Sequence, residues 1–306
     1  MKSSENLISI IQRYGTDERC RESLVHLRWP SGIICPKCSS KKISRVYERG
    51  TFDCDNCRYQ FSVTAGTMFH DSHLPLTIWF YVTFVMCESR KGVSANQIKR
   101  MFGISYKTAW YLCHRIRAAM VETDRSKLGG KVEMDETFVG GVNRHKGKEH
   151  RWDNKEIVIG IRQRGGDLRF FHGEDVKSGT LEKYIRENIS DDVDVLFTDD
   201  YKPYRSAAGH LRKDGRHETI RHSLRIYVKG DIHTNTIESA FSLLKRGIIG
   251  SWHRLSAKHL QAYCNEMCFR FNNRKNPYLF RDTILKLIAS PNLEYKDLTA
   301  KVQDAA

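Results

Sequence analysis

The sequence predicts an α/β protein in two parts, a small metal-bound and helical front and a mixed sheet flanked by helices behind it. Three observations carry this. Two Cys-x2-Cys pairs stand 15 residues apart, a helix–glycine–helix pattern follows them, and beyond Gly129 and Gly130 short apolar strands alternate with helical segments.

The bulk properties agree with such a layout. At 306 residues and 40% apolar composition the chain can bury a core in each of two domains. A formal charge of +15, spread over many segments, attracts polyanions, and nucleic acid is the commonest of these. The opening MKSSENLISIIQRYGTDERC has no long apolar stretch and no small-residue cleavage site. The most apolar run, WFYVTFVMC at 79–87, falls short of the roughly 20 residues that a membrane span needs. Nine cysteines, an odd number without a secretion signal, argue against a disulfide framework, so a cytoplasmic protein with no membrane partner is expected.

Residues 1–30 read as a helical segment, and residues 31–65 as a zinc ribbon. Cys35, Cys38, Cys54 and Cys57 supply four thiolates on two tight turns, enough to close a tetrahedron around a structural Zn²⁺, and the intervening SSKKISRVYERGTFD alternates as short strands do. Cys264 and Cys268 stand at helical spacing and read as buried packing rather than as a second metal pair.

Residues 74–122 form a helical region. LPLTIWFYVTFVMCESRKG opens at Pro75 and closes near Gly92. Ser94 caps a helix through Phe102, Gly103 turns the chain, and Ser105 caps a second helix to about Met120, with Ile98, Met101, Ile104, Ala109, Leu112 and Ile116 at helical spacing. This is a helix-turn-helix whose second helix carries Lys107, Arg115 and Arg117 as candidate DNA contacts. An ordinary helical hairpin with a solvated basic face is the plainer reading of the same residues.

After the polar linker VETDRSKLGG the pattern becomes mixed. KVEMDETFVGG reads as a strand, NRHKGKEHRWDN as a basic loop with Lys146 and Lys148, EIVIGIRQ and DLRFFHG as a hairpin about Gly165 and Gly166, residues 180–189 as a helix, VDVLFTDD as a buried strand and YKPYRSAAGH as a short helix. Asp135 lies at or near the end of the first strand, Asp199 follows the buried strand, and Glu238 stands in the first turns of a final long helix. Groups outside strand ends reach a crevice while the sheet holds them rigid, and a few carboxylates suffice to hold two divalent cations for displacement at a phosphodiester. Taken singly, Asp199 also reads as a helix cap and Glu238 as half of a surface ion pair.

Lys245 follows Glu238 by seven residues, two helical turns or about 10 Å, too far for a direct helix ion pair. That spacing suits a metal at Glu238 and a phosphate at Lys245, with Arg246 beside it, while Ile237, Phe241 and Leu244 would pack the helix on the sheet.

The motifs RWPSGIICPKC, TAGTMFHDSHLPLTIWF, ISYKTAWYLCHRIRAAM, MDETFVGG, TDDYKPY and HTNTIESAFSLLKRGIIGSWHRLSAKHLQAYCNEMCFRFNNR, together with the second cysteine pair, resemble bacterial insertion-sequence DDE transposases with an N-terminal zinc ribbon and an ISXO-like transposase domain. The likeness spans residues 15 to 275. It implies an RNase H-like catalytic domain over residues 131–275, followed by a C-terminal tail at 276–306. By the family pattern Asp135, rather than its neighbour Glu136, joins Asp199 and Glu238 as ligands of two Mg²⁺ or Mn²⁺ ions, and Lys245 contacts the DNA end. The implied reaction frees a 3′-hydroxyl at each inverted-repeat end and joins it to target DNA, in a homo-oligomer that brings two ends together near the bacterial nucleoid. A zinc-ribbon and helix-turn-helix regulator, and an RNase H-type nuclease that cuts without joining, are the competing readings.

Overall fold

Local capping starts the first helices. Asn6 accepts from the Ser9 amide and Ser9 reciprocates to open α1 (Leu7–Arg13), and Thr16 accepts from the Arg19 amide to open α2 (Asp17–Arg28). Asp17 and Glu18 in the first turn of α2, and His26 and Arg28 in its last, complement the helix dipole. The computed structural model describes residues 5–123, 125–141, 155–220, 233–253 and 255–300. It divides into two units, Met1–Met120 with Lys275–Ala306, and Val121–Arg274.

In the first unit, β1 (Ile43–Val46), β2 (Thr51–Cys54) and β3 (Gln60–Phe61) form an antiparallel sheet, with Phe52 and Phe61 buried beneath Trp29. The helix α3 (Leu76–Glu88) is apolar almost all round, and Trp79, Phe80, Val82, Phe84 and Met86 are buried, as a helix inside a core should be. The expected pair then appears as α4 (Ala95–Phe102) and α5 (Tyr106–Ala119), capped by Ser94 and Ser105, with Gly103 at φ 65° in the turn. Ile98, Ala109, Leu112 and Ile116 are buried as their spacing predicts, whereas Met101 is 49% exposed.

In the second unit, β4 (Lys131–Val139), β5 (Glu156–Gln163) and β6 (Leu168–Gly173) run as an antiparallel meander. The chain then crosses by α6 (Ser178–Asn188) to β7 (Val195–Asp199), which pairs parallel with β4. After α7 (Lys202–Ala207) and α8 (Gly209–Lys213) comes β8 (His217–Ile220), parallel to β7, a strand that sequence reading had not anticipated. The sheet order is β6-β5-β4-β7-β8. Two long helices follow, α9 (Asn235–Gly247) and α10 (Ala257–Asn272).

Strand alternation gives the sheet two cores. Val132, Met134, Ile159 and Ile161 pack with Leu181 and Ile185 of α6 and Tyr204 of α7 on one face. On the other, Val139, Val158 and Phe170 pack with Ile237, Phe241 and Leu244 of α9 and with α10, where Cys264 and Cys268 are buried packing residues.

The chain returns to the first unit with α11 (Leu279–Ala289) and α12 (Tyr295–Thr299). The segment expected as a tail is therefore part of a folded core. Phe280 meets Tyr14, Phe80 and Phe84, the Met68 amide donates to the Leu287 carbonyl at 3.0 Å, and Tyr111 donates to the Leu293 carbonyl at 2.5 Å. No helix of the described residues is long and apolar enough to cross a membrane.

Candidate active site

Asp135 does not end its strand. It stands in the middle of β4, opposite Gly160 of β5, and β4 continues to Val139. Its exposure to a crevice comes from its neighbour on the other side. The register that pairs Glu133 with Phe197 brings Asp135 level with Asp199, where β7 stops. Beyond that point β4 has no partner on the β7 side among the described residues, and its polar side chains lie outside the end of β7.

The carboxylate oxygens of Asp135, Glu136 and Asp199 lie within 4.8 Å of one another. The family resemblance favours Asp135 over Glu136, and alternation points only one of two neighbours to a given face of a strand. The structure brings Glu136 in as well, since at this open edge both side chains can bend toward Asp199. Tyr204 on α7 donates to Glu136 Oε2 at 2.6 Å, the Glu136 amide donates to Asp135 Oδ1 at 2.9 Å, and the Tyr201 amide donates to Asp199 Oδ1 at 3.1 Å. The adjacent pair Asp135-Glu136 in MDET was the available signal.

Glu238 lies in the first turn of α9, where it accepts from Thr234 Oγ1 at 3.1 Å. It lines the same cavity, about 340 Å³ in volume, as Asp135, Glu136, Asp199 and Lys245. Ile237, Phe241 and Leu244 anchor α9 on the sheet, with the Phe241 ring stacked on Phe170 at 5.3 Å, so the other side of the helix turns Glu238 and Lys245 outward.

Burial pushes the Asp135 carboxyl well above the usual carboxylate range, and the charges of Glu136, Asp199 and Glu238 push it the same way. Burial also raises Glu136, against the lowering effect of the Tyr204 hydrogen bond. These acids repel one another across a shared space, and hard oxygen donors in that arrangement fit a divalent cation of the Mg²⁺ type.

In the first unit the four cysteines converge. Cys35 Sγ lies 3.7 Å from Cys57 Sγ, Cys38 Sγ lies 3.5 Å from Cys54 Sγ, and all four sulfurs fall within 4.8 Å of one another. Zn–S bonds of about 2.3 Å in a tetrahedron put the sulfurs about 3.8 Å apart, so the donor set fits zinc with no position left for a substrate. The two turns are built alike. Ser39 and Arg58, each just after its pair, take positive φ values of 59° and 58°, and each donates its amide back to the first cysteine's carbonyl.

The expected DNA contacts separate into three groups. Lys245 lines the acidic cavity, and Arg246 is exposed on the same helix. Lys107 is exposed in the first turn of α5, over the Tyr295 ring at 4.4 Å. Arg115 and Arg117, however, are only 3% and 2% exposed. Arg115 donates to the carbonyls of Met68 and His70 and to Asn292 Oδ1, and its guanidinium lies 4.9 Å from the Trp79 ring centre. Reading both arginines as phosphate contacts is therefore corrected. Past its first turn α5 is a core helix, and these two side chains are not open to a backbone phosphate. Lys146 and Lys148 lie outside the described residues.

Residues 127–272, which include Asp135, Asp199, Glu238 and Lys245, match the family model of the ISXO2-like transposase domain. Residues 15–60, which include the four cysteines, match that of the transposase zinc-ribbon domain. A protein of Halobacterium salinarum described as an uncharacterized protein in transposable element ISH50 is 28% identical over 258 residues, covering 77% of this chain and 84% of that one.

Proposed function

Because the chain belongs to the insertion-sequence transposases that combine a zinc ribbon with an ISXO2-like transposase domain, we propose that it cleaves the ends of its element and joins the freed 3′-hydroxyl to target DNA. One observation carries the reading. Carboxylates from three separate elements, β4, β7 and α9, share one cavity with a lysine two helical turns beyond the last acid.

Asp135, Asp199 and Glu238, joined by Glu136, would hold the divalent cations. A pair of such ions supplies activation of the attacking oxygen and neutralisation of charge on the leaving one. The chain itself does the rest. The sheet fixes the two aspartates, α9 sets Glu238 opposite them, and Lys245 binds a phosphate so that the scissile bond lies over the acids. Cleavage and joining are both in-line displacements at phosphorus, so one site serves for both. The ribbon, with Lys37, Lys41 and Lys42, and the exposed start of α5, with Lys107, would contribute to holding end DNA. Bringing two ends together calls for more than one copy of the chain.

The test is a strand-transfer assay with Mg²⁺ and a duplex end already cut at its 3′-hydroxyl. Joined product from the wild type, and none from Glu238→Gln at equal DNA binding, is the expected result. Normal joining by Glu238→Gln sinks the proposal, and a wild type that cuts an intact end but joins no pre-cut one would assign the nuclease reading instead.

A further inference from the structure

Two residues before Asp135 on β4 is an acid that the chemistry above does not use. Glu133 is 0% exposed, so its charge must be paid back by close partners. The partners are divided between its two oxygens. Oε1 accepts from Arg164 Nε of β5's end loop at 2.7 Å and lies 3.3 Å from His233 Nδ1. Oε2 accepts from the Thr236 amide at 2.9 Å, the Thr236 hydroxyl at 2.7 Å and the Ile237 amide at 2.9 Å.

These last three donors are the first turn of α9. That helix has no side-chain cap of its own, and the Thr234 hydroxyl beside it is turned to Glu238. An uncapped first turn leaves amide groups without partners, and it favours a negative charge. Glu133 satisfies both needs from a neighbouring strand. The same turn is held from β5 as well, because Arg164 Nη2 donates to the His233 carbonyl at 2.9 Å and Arg162 donates to the Thr236 carbonyl.

The offsets matter. Glu133 stands two residues from Asp135, about 7 Å along an extended strand and on the same face of it. Its bonds to α9 end at Thr236 and Ile237, immediately before Glu238. One buried carboxylate thus links the strand that carries the first acid to the helix turn that carries the third. We propose that Glu133 is a positioning residue, which sets the distance between Asp135 and Glu238 by capping α9 from β4. The inference rests on the transposase reading for its role in catalysis, but the link itself bears on metal binding with or without DNA.

Glu133→Gln in the full-length protein is the test. The amide keeps the shape and one acceptor, yet it offers a donor to a partner that is itself a donor, on one side or the other. Two measurements are made. Mn²⁺ binding is followed by electron paramagnetic resonance without DNA, and joining of a pre-cut end is followed against Mg²⁺ concentration. Both the Mn²⁺ dissociation constant and the Mg²⁺ concentration for half-maximal joining are expected to rise about tenfold, at the low end for residues that orient metal ligands. DNA binding without metal, zinc content and the circular dichroism spectrum should stay as in the wild type, which a general loss of structure would not allow.

A folded Glu133→Gln protein with wild-type Mn²⁺ affinity and Mg²⁺ requirement overturns the inference. Should that variant not fold, Thr236→Val, which removes the hydroxyl donor alone, is expected to shift both values in the same direction by a smaller factor, and no shift there overturns it equally. Failure of the transposase reading looks different. The wild type would then bind Mn²⁺ in a Glu133-dependent way and join no DNA.

Discussion

Glu238 and Lys245 stand on the same side of α9 and line the cavity that also holds Asp135 and Asp199. Their seven-residue spacing is close to two turns, so each has its own axial level, one at the acids and the other beyond them. A single helix therefore presents a carboxylate and an ammonium group to one cavity in fixed order.

Lys245→Ala should weaken binding of end DNA while leaving Mn²⁺ binding unchanged. A lysine that neutralises one phosphate releases about one counterion, so the plot of log affinity against log salt should become shallower by about 1 in the variant. Lys245→Arg should keep the slope. Equal slopes for wild type and Lys245→Ala, measured by fluorescence anisotropy, would remove the phosphate contact.

Gly160 lies opposite Asp135 and beneath α9. A β-carbon there would come within 2.7 Å of Phe241 Cζ and 2.8 Å of Ile237 Cδ1, so Gly160→Ala forces these two buried side chains to shift, and the expected result is a displaced α9. Overpacking of this kind costs about 1–3 kcal/mol. The larger expected effect is on joining, which should fall about 100-fold if Glu238 moves by an ångström from its place opposite Asp135. Gly160→Ala with Phe241→Leu restores room and should recover part of the activity. A fully active Gly160→Ala protein would mean that the approach of α9 to the sheet does not govern the site.

What could be read in the sequence is what local chemistry decides. Ser94, Gly103 and Ser105 mark their helix ends because caps and positive φ act within a few residues, and Asp199 follows an apolar strand that announces its own end. The cysteine pairs declare a metal by spacing alone. What escaped depends on residues far apart in the chain. Glu136 enters the acidic group because β7 ends early beside it, and Glu133 becomes a helix cap for a turn 103 residues away. Arg115, which a helical wheel assigns to a basic face, is taken up by carbonyls 45 and 47 residues back and by Asn292. The strand β8 was missed since HETI buries its two ends and leaves polar residues between, too short a pattern to show a period. By contrast, the placement of α11 in a core was within reach, for Leu279, Phe280, Ile284 and Leu287 already form an apolar stripe.

His217, at the start of β8, joins that strand to the residue before Asp199. It is 8% exposed, and its Nε2 lies 3.0 Å from Thr198 Oγ1. The Thr198 hydroxyl donates its own hydrogen to the Asp199 carbonyl at 2.8 Å, so the ring must be the donor between them and carries its proton on Nε2. Burial, with Arg212 and Arg205 adding repulsion, lowers the imidazole from 6.5 to about 4. A depressed histidine binds fewer protons in the folded chain than in the unfolded one. Its contribution is complete above the unfolded value of 6.5 and is lost as the pH falls toward about 4. The loss amounts to about 3 kcal/mol over that window. Asp135 and Glu136, whose carboxyls are raised, respond in the opposite sense, so the histidine must be isolated by difference. Between about pH 7 and about pH 4.5 the thermal midpoint of the wild type should fall by several degrees more than that of His217→Gln, whose amide can still donate to Thr198. Parallel falls in the two proteins would show that His217 is charged as readily in the folded chain as outside it, and that the Thr198 bond does not depend on a neutral ring.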